Sequence, residues 1–391
     1  MDKVEKIIKD VERKGDRALI KYTSRYDNAR LSASELEVPA DELDTGARQV
    51  EEPLASALKR AAENIKSYAA FELNNLNETE YSRGGFDITG RLIPVERAGI
   101  YVPGGRYSYP STVLMCSIPA REAGVDEVVM VSPPGNITPA VCLAAKLSGV
   151  SRVFRVGGAQ GIAALAFGTD TIPAVDMIAG PGNSYVQRAK MILHGRGVVG
   201  VDMLAGPSEV VLIADSGQNP EVICADLAAQ AEHAPDAKSC LITWDGGLLE
   251  KVESMLDSGL KGRVSLIKVK DSSEAVNRVN RIAPEHLQLA CGTEIITGIV
   301  GKVRNAGAVF LGRFSPVALG DYWAGPSHTL PTGGTARYGE GLSVRSFMKN
   351  VAFITASREG LEYASGDIAR LAREEGMENH ALSVEKRFRE R

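Results

Sequence analysis

The sequence predicts an α/β fold: two Rossmann-like regions followed by a helical C-terminal tail. Three observations carry this reading. Short apolar runs alternate with helical runs from residue 97 to 215. The alternation resumes from 209 to about 313, and glycine-rich turns punctuate the first series. Such alternation means βαβ units and parallel sheets.

The elements follow in order. The first ~80 residues read as helices. Val4, Ile7, Ile8 and Val11 recur at helical spacing, and Leu54, Leu58, Ala61 and Ile65 share a face of a second run over 53–71. Strands are expected at 99–102, 127–132, 152–156 and 175–178, with helices at 111–123, 138–148 and 159–167. In the second region strands fit 210–214, 239–243 and 264–269, with helices between them. Residues 343–391 hold too few apolar side chains for a domain, so this tail is expected to pack on another surface, such as a second subunit. The expected division is a discontinuous α/β domain from 1–100 and 210–342, a second α/β domain over 101–209, and the tail.

Bulk properties exclude several classes. A chain of 391 residues can bury its core without disulfides or structural metals. Lys plus Arg is 45 and Asp plus Glu is 49, a net charge of −4 that leaves no nucleic-acid footprint. The basic stretch 385–391 is broken by acids and reads as a solvated terminal helix. Cys116, Cys142, Cys224, Cys240 and Cys291 are scattered and form no Cys-x-x-Cys pair. That argues against a disulfide framework and a thiolate zinc site, and for reduced thiols. No apolar run has membrane-spanning length and the start has no signal-peptide core, so the cytoplasm is expected.

Glycine accounts for 40 residues, and their placement is what informs. Gly104-Gly105, Gly157-Gly158, Gly180-Pro181-Gly182 and Gly206-Pro207 each follow an expected strand. One alone reads as a tight turn. Four on one sheet edge favour a nucleotide or substrate cleft, since ligands bind beyond the carboxyl ends of parallel strands. A Gly-x-Gly-x-x-Gly fingerprint is absent after the first strand, so any dinucleotide binds in an atypical way.

The five histidines are few enough to examine singly. Asn219-Pro220 resembles an N-cap and first-turn proline, and Gln230 and His233 lie i, i+3 on the helix that follows. That spacing suits two ligands to one metal, or a capped helix end. Ala283-Pro284-Glu285-His286-Leu287 offers two different acid–base groups side by side, or a surface loop. Asp321 and His328 sit in a Gly/Pro-rich segment. Glu375 and His380 flank Gly376, where a turn between two helices is expected. His194 reads as a helix C-terminal residue without function.

Taken together, ordered segments along nearly the whole chain resemble the histidinol dehydrogenase family. They are residues 97–105 (Arg-Ala-Gly-Ile-Tyr-Val-Pro-Gly-Gly), Gly157-Gly158-Ala159-Gln160, Gly180-Pro181-Gly182-Asn183 and Ala205-Gly206-Pro207-Ser208-Glu209. Gln230-Ala231-Glu232-His233, the 283–287 motif, Gly320-Asp321-Tyr322, residues 327–334 and Glu375-Gly376 with His380 continue the set. The resemblance implies zinc held by Gln230, His233, Asp321 and, from a partner subunit, His380. It implies substrate contacts from Ser208, His328 and Glu375, with the metal ligands and Glu285 in the same shell. Tyr101, Gln160 and Asn183 match positions that contact NAD⁺, which makes 101–209 the NAD-binding domain.

The implied reaction oxidises L-histidinol to L-histidine through the aldehyde, reducing two NAD⁺, as the last step of histidine biosynthesis. His286 takes the alcohol proton and Glu285 activates water. The tail then makes the enzyme a homodimer with shared sites. Two departures stand out. Many members carry an N-terminal extension inside which this chain starts, and the loop Arg106-Tyr107-Ser108-Tyr109 is bulkier than the family pattern. The alternatives are a related dehydrogenase of another primary alcohol such as sulfopropanediol, a zinc hydrolase using Glu285 as base, and a non-catalytic nucleotide-binding protein.

Overall fold

Alternating strands and helices build two five-stranded parallel sheets of the same order. The computed structural model describes residues 2–104, 107–203, 206–232 and 236–388. Four helices come first: α1 (Lys3–Lys14), α2 (Asp16–Tyr26), α3 (Ala40–Arg48) and α4 (Glu52–Asn74). The exposed strands β1 (Thr79–Arg83) and β2 (Phe86–Pro94) follow. The first parallel series is β3 (Arg97–Tyr101), α5 (Pro110–Glu122), β4 (Glu127–Ser132), α6 (Pro139–Leu147), β5 (Arg152–Arg155), α7 (Gly158–Phe167), β6 (Met177–Ala179), α8 (Ser184–Gly195) and β7 (Gly200–Val201). The second is β8 (Glu209–Ala214), α9 (Pro220–Ala231), β9 (Lys238–Thr243), α10 (Gly246–Met255), β10 (Val264–Lys268), α11 (Ser272–Ile282), β11 (His286–Ala290), α12 (Thr293–Ile299), β12 (Ala308–Leu311) and α13 (Val317–Tyr322). Strand β13 (Met348–Ala356) and helices α14 (Arg358–Glu374) and α15 (Glu378–Glu385) close the chain.

The sheet orders are β5-β4-β3-β6-β7 and β10-β9-β8-β11-β12. In each, the first strand lies in the middle and the chain later crosses to its other side. The switch points therefore fall between β3 and β6, and between β8 and β11. Strand interiors are apolar, as sheets covered on both faces require: Val128 to Val131 of β4 and Val210 to Ala214 of β8 are all buried.

Several sequence expectations need adjustment. Val4, Ile7, Ile8 and Val11 are buried, but Leu54 is half exposed at the start of α4, and Ala55, Ala62 and Ala69 complete the buried face instead. The apolar faces of α1 and α2 join one cluster with α7, α8 and the first sheet, whereas the sequence reading grouped residues 1–100 with the second region. The 283–287 motif opens β11 rather than a surface loop, and Asp321 lies on the short helix α13 rather than in a loop. The tail begins with a strand, β13. It pairs antiparallel with β2 over nine residues, from Met348↔Pro94 to Ala356↔Phe86.

That pairing divides the chain. One unit comprises residues 1–73 and 95–347, and the other 74–94 and 348–391. In the second unit, β1, β2 and β13 form an antiparallel sheet, and Arg373 ties α14 to α15 through Glu378 and Glu385, each at 2.8 Å.

Gly180, just past β6, has φ +115°, and a Cβ there would meet the Tyr101 carbonyl oxygen at 2.1 Å. Both the backbone conformation and the missing volume require glycine. Gly180→Ala is expected to cost at least about 2 kcal/mol, read as a lower urea midpoint at unchanged slope. Gly298→Ala, on α12 with open space around it, is the control and should stabilise by roughly 0.5–1 kcal/mol. Equal effects of the two changes would contradict this account of Gly180.

Candidate active site

The site begins with a tight turn. Helix α11 ends on Ala283 in the left-handed region (φ 53°), its N–H donating to the Val279 carbonyl. Pro284 stops the helix, so Glu285 and His286 come at the amino end of β11, next to β8 on one side and β12 on the other. Both side chains are buried. A non-glycine residue held at positive φ beside two buried ionisable groups is strain at a functional position.

Hydrogen bonds orient the pair. The Glu209 backbone N–H donates to Glu285 Oε2 at 2.9 Å, and the Ser208 hydroxyl donates to the same carboxylate. His286 Nδ1 lies 3.3 Å from the Glu209 carbonyl oxygen and 3.6 Å from Glu285 Oε2. A carbonyl only accepts, so that bond puts the proton on Nδ1 and turns the basic Nε2 toward Asp321 Oδ1, 4.0 Å away. Burial pushes the Glu285 carboxyl up to about 8. The Glu209 N–H and Ser208 oppose that rise, and the carboxylates of Asp321 and Glu209 add to it. Burial also raises Glu209, although its carboxylate accepts the Gly333 N–H at 3.0 Å.

A cavity of about 510 Å³ opens here, and His286, Phe310, Asp321, Ser327 and His328 are among its walls. His328 Nδ1 donates to the Asp321 carbonyl oxygen at 3.1 Å, and its Nε2 lies 3.4 Å from the Thr112 hydroxyl. Gln230, in the last turn of α9, is buried, and both its amide atoms lack a partner among the described residues. Burial raises the Tyr322 phenol, and the charges of its neighbour Asp321 and of Glu232 add to the rise. His233 lies outside the described residues. Among the described residues, no three His, Cys, Asp or Glu side chains gather as metal ligands. Glu375 and His380 belong to the second unit, on either side of Gly376, and both are exposed there.

The three positions expected to contact NAD⁺ come together at the first sheet. Tyr101 ends β3 at the switch point. Its hydroxyl accepts the Gly158 N–H at 3.1 Å, and burial raises its pKa to about 12. Gln160 is buried in α7, and its Oε1 has no hydrogen-bond partner among the described residues. Asn183 caps α8, its side chain accepting from the N–H groups of Tyr185 and Val186. Sequence reasoning missed Asp27, which accepts from Gln160 Nε2 at 3.4 Å and is pushed by burial up to about 6. No spacing signal pointed to it. It also gave Glu209 no role, although a carboxylate at a strand start directly after Gly206-Pro207-Ser208 was a visible cue. Of the bulky loop 106–109, Arg106 lies outside the described residues, as does Gly105 before it, while Tyr107 is exposed.

Comparison with known proteins bears on this arrangement. The histidinol dehydrogenase family model matches residues 1–388. The chain belongs to the histidinol dehydrogenase family. It is 47% identical to histidinol dehydrogenase of Geobacter metallireducens, over 98% of this chain and 90% of that one. Identity to the histidinol dehydrogenase of Carboxydothermus hydrogenoformans is 44%, over 98% and 93%. The crystal structure of histidinol dehydrogenase from Elizabethkingia anophelis superposes with a TM-score of 0.91 at 36% identity, covering 99% of this chain and 91% of that one. Family membership makes the chain an oxidoreductase, which sets aside the zinc-hydrolase and non-catalytic readings.

The raised carboxyl gives a stability test on metal-free protein. Glu285 titrates near 8 when folded, against an ordinary value of 4.5. Between these values the folded chain holds a proton that the unfolded chain has released. The group's contribution is therefore full below 4.5 and is lost as pH rises to about 8. Over pH 5–8 the parent should lose about 1.4 kcal/mol per pH unit relative to Glu285→Gln, read from urea midpoints. Parallel curves for the two proteins would contradict the shift.

Proposed function

We propose that this enzyme oxidises L-histidinol to L-histidine through bound L-histidinaldehyde, reducing two NAD⁺, as the last step of histidine biosynthesis. The observation that carries this reading is the buried Glu285–His286 pair facing Asp321 and His328 in a chain of this family. Residues 101–209 form the NAD-binding region in this reading. Residues 210–342 form the region carrying metal and catalytic groups. Gln230, His233 and Asp321, with His380 of the partner subunit, are the proposed zinc ligands. Gln230 supports a metal here, because a buried amide with no partner costs about 1–3 kcal/mol unless something else binds it. When bound, zinc supplies a Lewis-acidic centre that orients the substrate. NAD⁺, when bound, supplies the hydride acceptor for each oxidation.

The chain's own residues manage the protons. His286 takes the alcohol proton at Nε2, the nitrogen that its bond to the Glu209 carbonyl leaves basic. Glu285, as the carboxylate, then removes a proton from the water that attacks the aldehyde. Burial, which raises its pKa, makes it a stronger base than an ordinary carboxylate. Ser208 fixes the Glu285 carboxylate, while His328 and Glu375 are proposed to hold the substrate. Tyr101, Gln160 and Asn183 are proposed to hold the dinucleotide at the switch point.

A homodimer with shared sites agrees with the second unit's surface. Ile354, Tyr363 and Leu371 are large apolar side chains, each more than two-thirds exposed. Glu375 and His380 on that unit then serve the partner's site.

NADH counted against histidinol tests the reaction. The parent should form two NADH per histidinol, lose activity to a chelator and regain it with zinc. Glu285→Gln should stop near one NADH, with aldehyde accumulating. Equal loss of both oxidations would remove Glu285 from the second step. Mixing a His286→Asn chain with a His380→Asn chain tests the shared site: the mixed dimer should recover activity, since one of its two sites is intact. An inactive mixed dimer, verified by mass, would reject sharing.

A further inference from the structure

Lys190 and Asp202 form an ion pair that the chemistry above does not use. Lys190 Nζ lies 2.7 Å from Asp202 Oδ1, with side chains 0% and 1% exposed. The pair brackets the backbone of one residue, Gly180, holding the two peptide groups that flank its Cα. Lys190 Nζ donates to the Gly180 carbonyl oxygen at 2.5 Å, and the Gly180 N–H donates to Asp202 Oδ2 at 2.7 Å. The same carboxylate accepts the Met203 N–H at 2.7 Å.

A buried ion pair is a poor way to gain stability, because apolar side chains of similar size do as well or better. Its value here is directional. Gly180 opens the turn Gly180-Pro181-Gly182 that leads to Asn183, the N-cap of α8, and Lys190 lies on that same helix. The helix is thus tied to the end of β6 at its cap and again two turns later. Asp202 also begins the stretch that leads from β7 to Glu209, whose N–H holds Glu285. One carboxylate orients both the turn beside Tyr101 and the start of the path to the catalytic carboxylate.

We propose that Lys190 and Asp202 are positioning residues for the dinucleotide: by clamping the Gly180 backbone on both sides of its Cα they set the α8 N-terminus and Asn183 at the distance from Glu285 and His286 that hydride transfer needs. This rests on the reading that the crevice beside Tyr101 binds NAD⁺. Neither side chain touches the cofactor; both act through Gly180.

The test uses the zinc-loaded parent, Lys190→Met, and the double variant Lys190→Met/Asp202→Asn, which leaves no lone buried charge. NADH binding is followed by fluorescence, and KM is measured separately for NAD⁺ and histidinol. Both variants should bind NADH at least about tenfold more weakly and raise the NAD⁺ KM similarly, with the histidinol KM unchanged. Parent-like NADH affinity in the folded double variant would overturn the proposal. So would an equal rise in both KM values, or failure of both variants to fold, either of which assigns the pair to the scaffold. A parent that binds no NADH removes the cofactor reading itself, and the proposal falls with it.

Discussion

The hydrogen bond from the Glu209 N–H to the Glu285 carboxylate ties together the starts of β8 and β11 at the amino edge of the second sheet. Glu209 is where the chain, leaving the last strand of the first sheet, enters the first strand of the second. The carboxyl edge of one sheet thereby meets the amino edge of the other. Ligand crevices normally form beyond carboxyl ends. Here only the first sheet supplies that edge, through Tyr101, Gly180 and Asn183. The second sheet presents its amino edge, where His286 is the opening residue of β11. The contacts of Gly206 with Thr332, Thr112 with His328 and Cys116 with Thr329 hold the two edges together.

This arrangement explains the electrostatics. At the edge of a sheet covered on both faces, Glu285 has lost most of its water and is held by only a few donors. Desolvation therefore wins over hydrogen bonding, and the carboxyl rises. Burying this carboxyl costs the chain stability as pH rises through neutrality. Gln230 carries a similar cost, as an amide buried without a partner among the described residues. Lys190 and Asp202 show the opposite solution, with charges buried but fully paired.

Much of this was legible from the residues. Alternation and glycine-rich turns gave most strands of both sheets to within a few residues, because strands buried on both faces are continuous apolar runs. Strand β11 was not legible: Pro284, Glu285 and His286 look like a loop, and only its place between β8 and β12 makes it a strand. Strands β1 and β13 stayed hidden because they are largely exposed, and β2 because it is half-buried without apolar alternation. Helix α13, at six residues, is too short for periodicity to register. Lys190 had a signal that was overlooked. It shares the buried stripe Val186, Ala189, Leu193, where a lysine needs a partner. The resemblance to the family singled out Glu285 and His286, both of them buried, which local pattern alone did not separate from a surface loop.

Glu285 is a buried carboxyl lifted toward neutral pH by its loss of water at the amino edge of the second sheet. Its protonation is directly visible by difference infrared titration of the metal-free parent against Glu285→Gln. The account predicts a protonated-carboxyl band that persists through neutral pH and disappears as pH rises through about 8. Disappearance of that band near the ordinary value of 4.5 would mean that the carboxylate is already solvated or paired, and would contradict the account.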